Sequence, residues 1–133
     1  MAFYLRKDKL TTFDGGTTVD DAWRAQAKGA FTLRPGEESL SVFEAEDDHA
    51  CDLVAAALAL ANQQERPVDI LKISREELER FGTVERDGQG DTPIAAVNAC
   101  HASLHTTQEQ LTALAERLRQ QGRKVERRKW REH

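Results

Sequence analysis

Residues 48 to 81, DHACDLVAAALALANQQERPVDILKISREELERF, decide the fold class. They read as a helix, a strand and a second helix in succession. Asp47 or Asp48 caps the first helix, expected from Asp48 to about Gln64, and the acids there complement the positive end of its dipole. Its interior, Leu53 to Ala61, is apolar almost all round, which predicts packing on more than one side, with alanines allowing neighbouring backbones to approach closely. Pro67 follows its end, and Val68-Asp69-Ile70-Leu71-Lys72-Ile73 has the look of a core strand. Ser74 and Glu77, three residues apart, form a capping box that opens a short helix to Phe81, closed by Gly82.

Upstream of this block, Phe3-Tyr4-Leu5 reads as a short strand, followed by a turn around Asp14-Gly15-Gly16. Val19 to Ala27 is expected to be a short helix with Trp23 facing inward. Lys28 to Arg34 and Leu40 to Phe43 read as extended runs on either side of a Pro35-Gly36 turn, predicting a β-hairpin with Glu37 and Glu38 at its exposed end. Downstream, Asp87-Gly88-Gln89-Gly90-Asp91 is a loop, and an extended run is expected at Val97 to His101. Thr107 with Gln110 makes a second capping box, opening a helix to about Gln121. Leu111, Leu114, Ala115 and Leu118 give that helix one apolar stripe at i, i+3, i+4 and i+7. Gly122 ends it, and Lys124 to Arg127 reads as a final edge strand. The mixed order predicts one α+β domain over residues 1–133, with about three helices on one face of a mainly antiparallel sheet. Residues 123–133 form its basic C-terminal strand or tail.

Composition narrows the class. A chain of 133 residues is long enough for a hydrophobic core without disulfide or metal staples. With 39% hydrophobic and 32% charged residues it is polar but well short of a disordered composition. The longest apolar run, Leu53 to Ala61, falls far below the about eighteen residues a membrane span needs. Arg6, Lys7, Asp8 and Lys9 interrupt any signal-peptide core, and two cysteines do not make a secreted disulfide framework. The expected address is the cytoplasm, with no membrane partner.

Charge is divided along the chain. Eight basic residues against one acid, Glu126, lie between Arg117 and Arg131, while the whole chain carries −4, so the remainder carries −11. Such a split gives either a handle for an anionic partner or a tail that folds back on its own acidic surface. Arg127, Arg128, Lys129, Trp130 and Arg131 interleave an aromatic with cations, the pattern of a contact surface for another protein or for nucleic acid.

The chemistry-bearing residues fall in two groups. His49 with Cys51 and Cys100 with His101 and His105 are zinc-ligand types, but neither pair has the spacing of a zinc knuckle, and free cysteines are commonly small buried hydrophobes. No metal or other cofactor is expected. A catalytic reading takes His101 or His105 as general base, oriented by Asp91, Glu44 or Glu46, with Ser41, Ser103 or Cys100 as nucleophile. The order Arg6, Ser39-Leu40-Ser41, Glu77-Leu78-Glu79 also resembles that of some ADP-ribosyltransferases, although the capping box already accounts for Glu77.

Trp23, Ala30-Phe31, Arg34-Pro35-Gly36-Glu37, Leu40-Ser41-Val42 and His101-Ala102-Ser103-Leu104 together resemble a group of small bacterial proteins of similar length. In that group an Ala-Phe strand precedes a Leu-Ser-Val strand, and a His-Ala strand comes near the C-terminus. The resemblance implies a bacterial, cytosolic origin and slightly favours a fold in which Ser41 and His101 sit near each other. The group has no established activity, so no functional residue carries over. The sequence therefore points first to a non-catalytic protein-binding or self-associating module. The alternative is a small enzyme using His101 with a serine or carboxylate neighbour, acting on a nucleotide or nucleic acid.

Overall fold

Two strands, at the N-terminus and in the middle of the chain, carry consecutive apolar residues that must point to opposite sides of a sheet. Tyr4-Leu5 and Ile70-Leu71 are such pairs, all nearly or fully inaccessible to solvent. A strand buried on both faces needs cover on both, and this requirement sets the architecture. The computed structural model describes residues 3–7, 13, 16–27, 31–33, 35–61 and 68–128. In chain order these form β1 (Phe3–Lys7), α1 (Asp21–Ala27), β2 (Ser39–Ala45), α2 (Asp48–Ala61), β3 (Val68–Ser74) and α3 (Arg75–Glu79). There follow β4 (Thr83–Arg86), α4 (Ala95–Asn98), β5 (His101–His105), α5 (Gln108–Gln120) and β6 (Glu126–Arg128).

The six strands make one sheet in the order β4-β5-β2-β1-β3-β6, and every neighbouring pair is antiparallel. On one face Tyr4, Leu40, Val42, Leu71, Ile73, Ala102 and Leu104 meet Trp23 of α1, Leu78 of α3 and the stripe of α5. On the other face Leu5, Ala45, Val68 and Ile70 meet Cys51, Val54, Ala55, Ala57 and Ala59 of α2, with Val97 of α4. The α+β class and the antiparallel sheet are as expected. The helices are divided between the two faces rather than gathered on one.

Other sequence expectations hold where local chemistry dictates structure. Ser74 Oγ accepts from the Glu77 N–H at 3.2 Å and the Glu77 carboxylate accepts from the Ser74 N–H at 3.0 Å, closing the capping box. Asp47 caps α2 by accepting from the Ala50 N–H at 2.8 Å, and Thr107 caps α5 through the Gln110 N–H at 3.2 Å. Gly122, at φ +73°, ends α5 in the left-handed region. Trp23 points inward, 5.9 Å from the Phe13 ring. Residues 126–128 form the edge strand, against β3.

Three further expectations differ. Phe31 to Leu33 form no strand, and β2 pairs with β1 and β5 instead of a hairpin partner. The reason is a side chain: Gln108 donates to the Phe31 carbonyl at 2.9 Å and accepts from the Leu33 N–H at 2.8 Å, supplying the bonds a strand would have made. Lys28, Gly29, Ala30 and Arg34, the rest of the expected run, lie outside the described residues, as do Asp14, Gly15 and Asn62 to Gln64.

Val97 and Asn98 lie in a helical turn, and the strand begins only at His101. Asn98 imposes this turn by accepting from the Thr92 N–H (2.8 Å) and hydroxyl (2.7 Å) and donating to its carbonyl (2.9 Å). Finally, α2 buries the side facing the sheet and α4, whereas Leu60 on its outer side is 38% exposed. No helix among the described residues is long and apolar enough to cross a membrane.

Candidate active site

The α2 face of the sheet is covered over β1 and β3 and gives way to polar side chains over β2, β5 and β4. Strand alternation places His101, Ser103 and His105 of β5 on this face. Register sets Phe43 opposite His101, Ser41 opposite Ser103 and Ser39 opposite His105. On the other side Glu85 stands opposite Ser103 and Thr83 opposite His105. Ser41, Thr83, Glu85 and His105 are exposed, whereas His101 and Ser103 are 9% and 8% accessible. The result is a shelf of short hydroxyl side chains whose inner end is sunk beside the core.

Asp87 completes that inner end. The Asp87 and Gly88 N–H groups both donate to the His101 carbonyl at 3.1 Å, so the chain leaves β4 while still held to β5. Gly88 makes this turn at φ +65°. The Asp87 carboxylate then spans two side chains: Oδ1 lies 2.6 Å from His101 Nδ1, and Oδ2 accepts from the Ser103 hydroxyl at 2.6 Å. Burial raises the Asp87 pKa, but hydrogen bonds from Ser103, His101 and the Gln89 N–H outweigh it and hold the carboxyl at about 2. It is therefore an ionised acceptor at neutral pH, and an ionised acceptor fixes the proton of a neutral imidazole on Nδ1. His101 Nε2 is left as the basic nitrogen and has no hydrogen-bond partner among the described residues. The Phe43 ring packs edge-on against the imidazole, centroids 5.2 Å apart, and limits its rotation.

The shelf holds a second imidazole–carboxylate pair, His105 Nε2 with Glu85 Oε2 at 3.2 Å. Both partners are far more exposed than the inner pair, at 48% and 68%. An exposed pair of this kind contributes little to stability.

Several residues singled out in the sequence come together here, and others do not. Ser41 and His101 share the face on adjacent strands, offset by two residues in the register. Ser103 is also present, but its hydroxyl is committed to Asp87 rather than to the imidazole. Glu44 projects from the opposite face of β2, where it accepts from the Tyr4 hydroxyl at 3.4 Å and lies 4.0 Å from Arg86. It does not orient His101; Asp87 does. Asp91 and Glu46 are exposed and take no part in the pairings around His101. Sequence reading missed Asp87, and its one signal was the position of an acid opening a glycine-containing loop. Arg6 donates to the Ser41 carbonyl at 2.8 Å, and Glu77 is taken up by the capping box and by Arg123, so these residues hold the fold.

Cys51 is buried on the sheet-facing side of α2, and the partly exposed Cys100 donates to the Ala96 carbonyl at 3.4 Å. Among the described residues no three His, Cys, Asp or Glu side chains gather as metal ligands do.

The basic end returns to the acidic body. Arg127 makes a two-point contact with Asp69, at 2.8 and 3.1 Å. Arg128 donates to Asp52 at 2.6 Å, to Asp48 at 3.1 Å and to Glu126 at 3.3 Å. Arg123 reaches the Lys72 carbonyl and the Glu77 carboxylate, and Arg119 donates to the Thr18 and Phe13 carbonyls. Lys129, Trp130 and Arg131 lie outside the described residues.

A separate cavity of about 330 Å³ opens between α1 and α5 on the other face, walled by Trp23, Ala27, Phe31 and Ala115. The Arg24–Glu116 ion pair, at 2.6 Å, spans its rim. Comparison with protein-family models, with curated proteins and with solved structures found no match to this chain.

Proposed function

We propose that this protein is a small enzyme in which His101, oriented by Asp87, acts as general base at the inner end of the polar shelf. The observation that supports it is the 2.6 Å contact between His101 Nδ1 and an Asp87 oxygen on a carboxylate held ionised. In this role Nε2 takes a proton from a water or a substrate hydroxyl, whose oxygen bonds to the acyl carbon, phosphorus or anomeric carbon under attack as the bond to the leaving oxygen breaks. The imidazolium then returns the proton to that departing oxygen. The ionised Asp87 stabilises the imidazolium that results. Ser103 serves as a positioning residue, because its hydroxyl holds the second Asp87 oxygen and fixes the carboxylate plane. Ser41 supplies an exposed hydroxyl on the same face, suited to bind the substrate or to receive the base's action.

Turnover of activated p-nitrophenyl esters, phosphodiesters and glycosides by the full chain and by His101→Gln tests this. At least one class should be hydrolysed, with a loss of about 10²–10⁴-fold in the variant and an unchanged urea midpoint. Equal rates for the two proteins across all three classes would overturn it.

A second reading is association with another protein or a second copy, in a cytoplasmic setting. It is favoured by β6, a three-residue strand at the sheet edge whose one strand neighbour among the described residues is β3. Sedimentation at low and high salt distinguishes it, since association through separated charges weakens as salt rises. A monomer at every concentration and salt would sink it.

A further inference from the structure

We infer that the ligand of the shelf is a neutral, hydroxyl-rich molecule, a saccharide of about two rings lying along β5 from His101 to His105. This rests on the reading of His101 as the base and names the class of molecule on which it acts. Length comes first. His101 and His105 are four residues apart in one strand, about 13 Å at the usual rise, and both face the same side. A ligand touching both imidazoles must extend further than a single sugar ring or an isolated phosphate.

Polarity comes second. The nine positions of the shelf are Ser39, Ser41 and Phe43 on β2, His101, Ser103 and His105 on β5, and Thr83, Glu85 and Asp87 on or beside β4. They offer hydroxyls, imidazoles and two carboxylates, and no lysine or arginine. Sugar hydroxyls both donate and accept, so they can satisfy an alternation of acceptors and hydroxyls along one line. A phosphate only accepts, and along β5 would meet Asp87 and Glu85, whereas among the described residues Lys7 of β1 shares this face but stands two strands away from β5. The acidic body outside the basic end repels polyanions further.

Shape comes third. Serine and threonine side chains keep the floor low between the two histidines, leaving room for a ligand to lie against the strands. The one aromatic, Phe43, is packed partly into the core under α2 rather than standing free to stack a nucleobase.

The test is titration of the isotope-labelled full chain with maltose, cellobiose and chitobiose, with glucose as a short probe and a dinucleotide as an anionic probe of similar length. The imidazole signals of His101 and His105 are followed. At least one neutral disaccharide should move both sets, bind about tenfold more tightly than glucose and keep its affinity as salt rises. His105→Ala and Glu85→Gln should each weaken that disaccharide about tenfold without moving the His101 signals of the free protein. No shift with any disaccharide, movement of only one histidine, or movement of both by the dinucleotide alone would each overturn the saccharide assignment. The two proposals fail separately. Saccharide binding with undiminished turnover in His101→Gln would sink the base and keep the ligand, and the converse would keep the base.

Discussion

At the scale of single residues, Asp87 is the side chain on which the site depends. It accepts from both His101 and Ser103, so Asp87→Asn removes an ionised acceptor and replaces one oxygen by a donor facing them. A loss of about 1.5–3 kcal/mol is expected, the range for hydrogen bonds to charged groups, read as a fall in the urea midpoint. The pH dependence has a definite sign. The Asp87 pKa in the folded chain, about 2, is below its ordinary value of 3.8. Its contribution is therefore present above about pH 4 and lost as pH falls towards 2. Urea midpoints measured from pH 6 to pH 2 should drop less steeply in Asp87→Asn than in the parent, and parallel curves would contradict the assignment. Ser103→Ala should cost about 1 kcal/mol, and the exposed Ser41→Ala under about 0.5 kcal/mol. That contrast separates a hydroxyl holding the carboxylate from one that faces solvent.

At the scale of elements, local signals in the sequence and close approaches in the structure carry different information. The Ser74–Glu77 capping box, the Thr107 cap (whose reciprocal Gln110 bond does not form) and the α5 stripe involve residues three or four apart, so they were legible without any tertiary contact. Ser74→Ala should destabilise by about 1 kcal/mol, as lost helix caps do, measured by chemical denaturation. Gly82 is a different case. It reads as a helix terminator, yet its φ is not in the left-handed region; a Cβ there would collide with the His105 carbonyl oxygen and crowd Leu104 and Thr106. Gly82→Ala should therefore force β4 away from β5, cost about 1–3 kcal/mol as overpacking does, and shift the His105 resonances. The expected hairpin failed for a related reason. Gln108, some seventy-five residues away in sequence, takes the hydrogen bonds of Phe31 and Leu33, and no local pattern announces such a partner.

At the scale of the whole molecule, the charge split becomes an internal clasp. Arg123, Arg127 and Arg128 each return to carboxylates on α3, β3 and the start of α2, so the basic end joins elements from opposite halves of the chain. Arg128→Ala would leave Asp52 without its cation, while Asp48 and Glu126 keep Lys72, at 3.8 and 2.8 Å. Because those acids are substantially exposed and Lys72 remains beside two of them, the expected cost is about 0.5–1 kcal/mol, smaller at high salt. Denaturation in low and high salt checks this, and a difference between variant and parent that ignores salt would argue against an electrostatic clasp.

The sequence alone determined whatever depends on neighbours within a few residues: the caps, the amphipathic stripe of α5, the core character of β3, the α+β class and the division of charge. Those features follow from backbone geometry and the period of apolar residues, which any short window contains. Tertiary structure decided strand order, the division of helices between two faces and the choice of Asp87 over Glu44 as the partner of His101. Each of these is a register, and register is settled by which long-range pairing buries the most apolar surface while satisfying the backbone. Glu44 lost its place beside His101 because the strand alternation that sinks Val42 sends Glu44 to the same side as Val42. Asp87 gained it because two backbone bonds to the His101 carbonyl hold the end of β4 there.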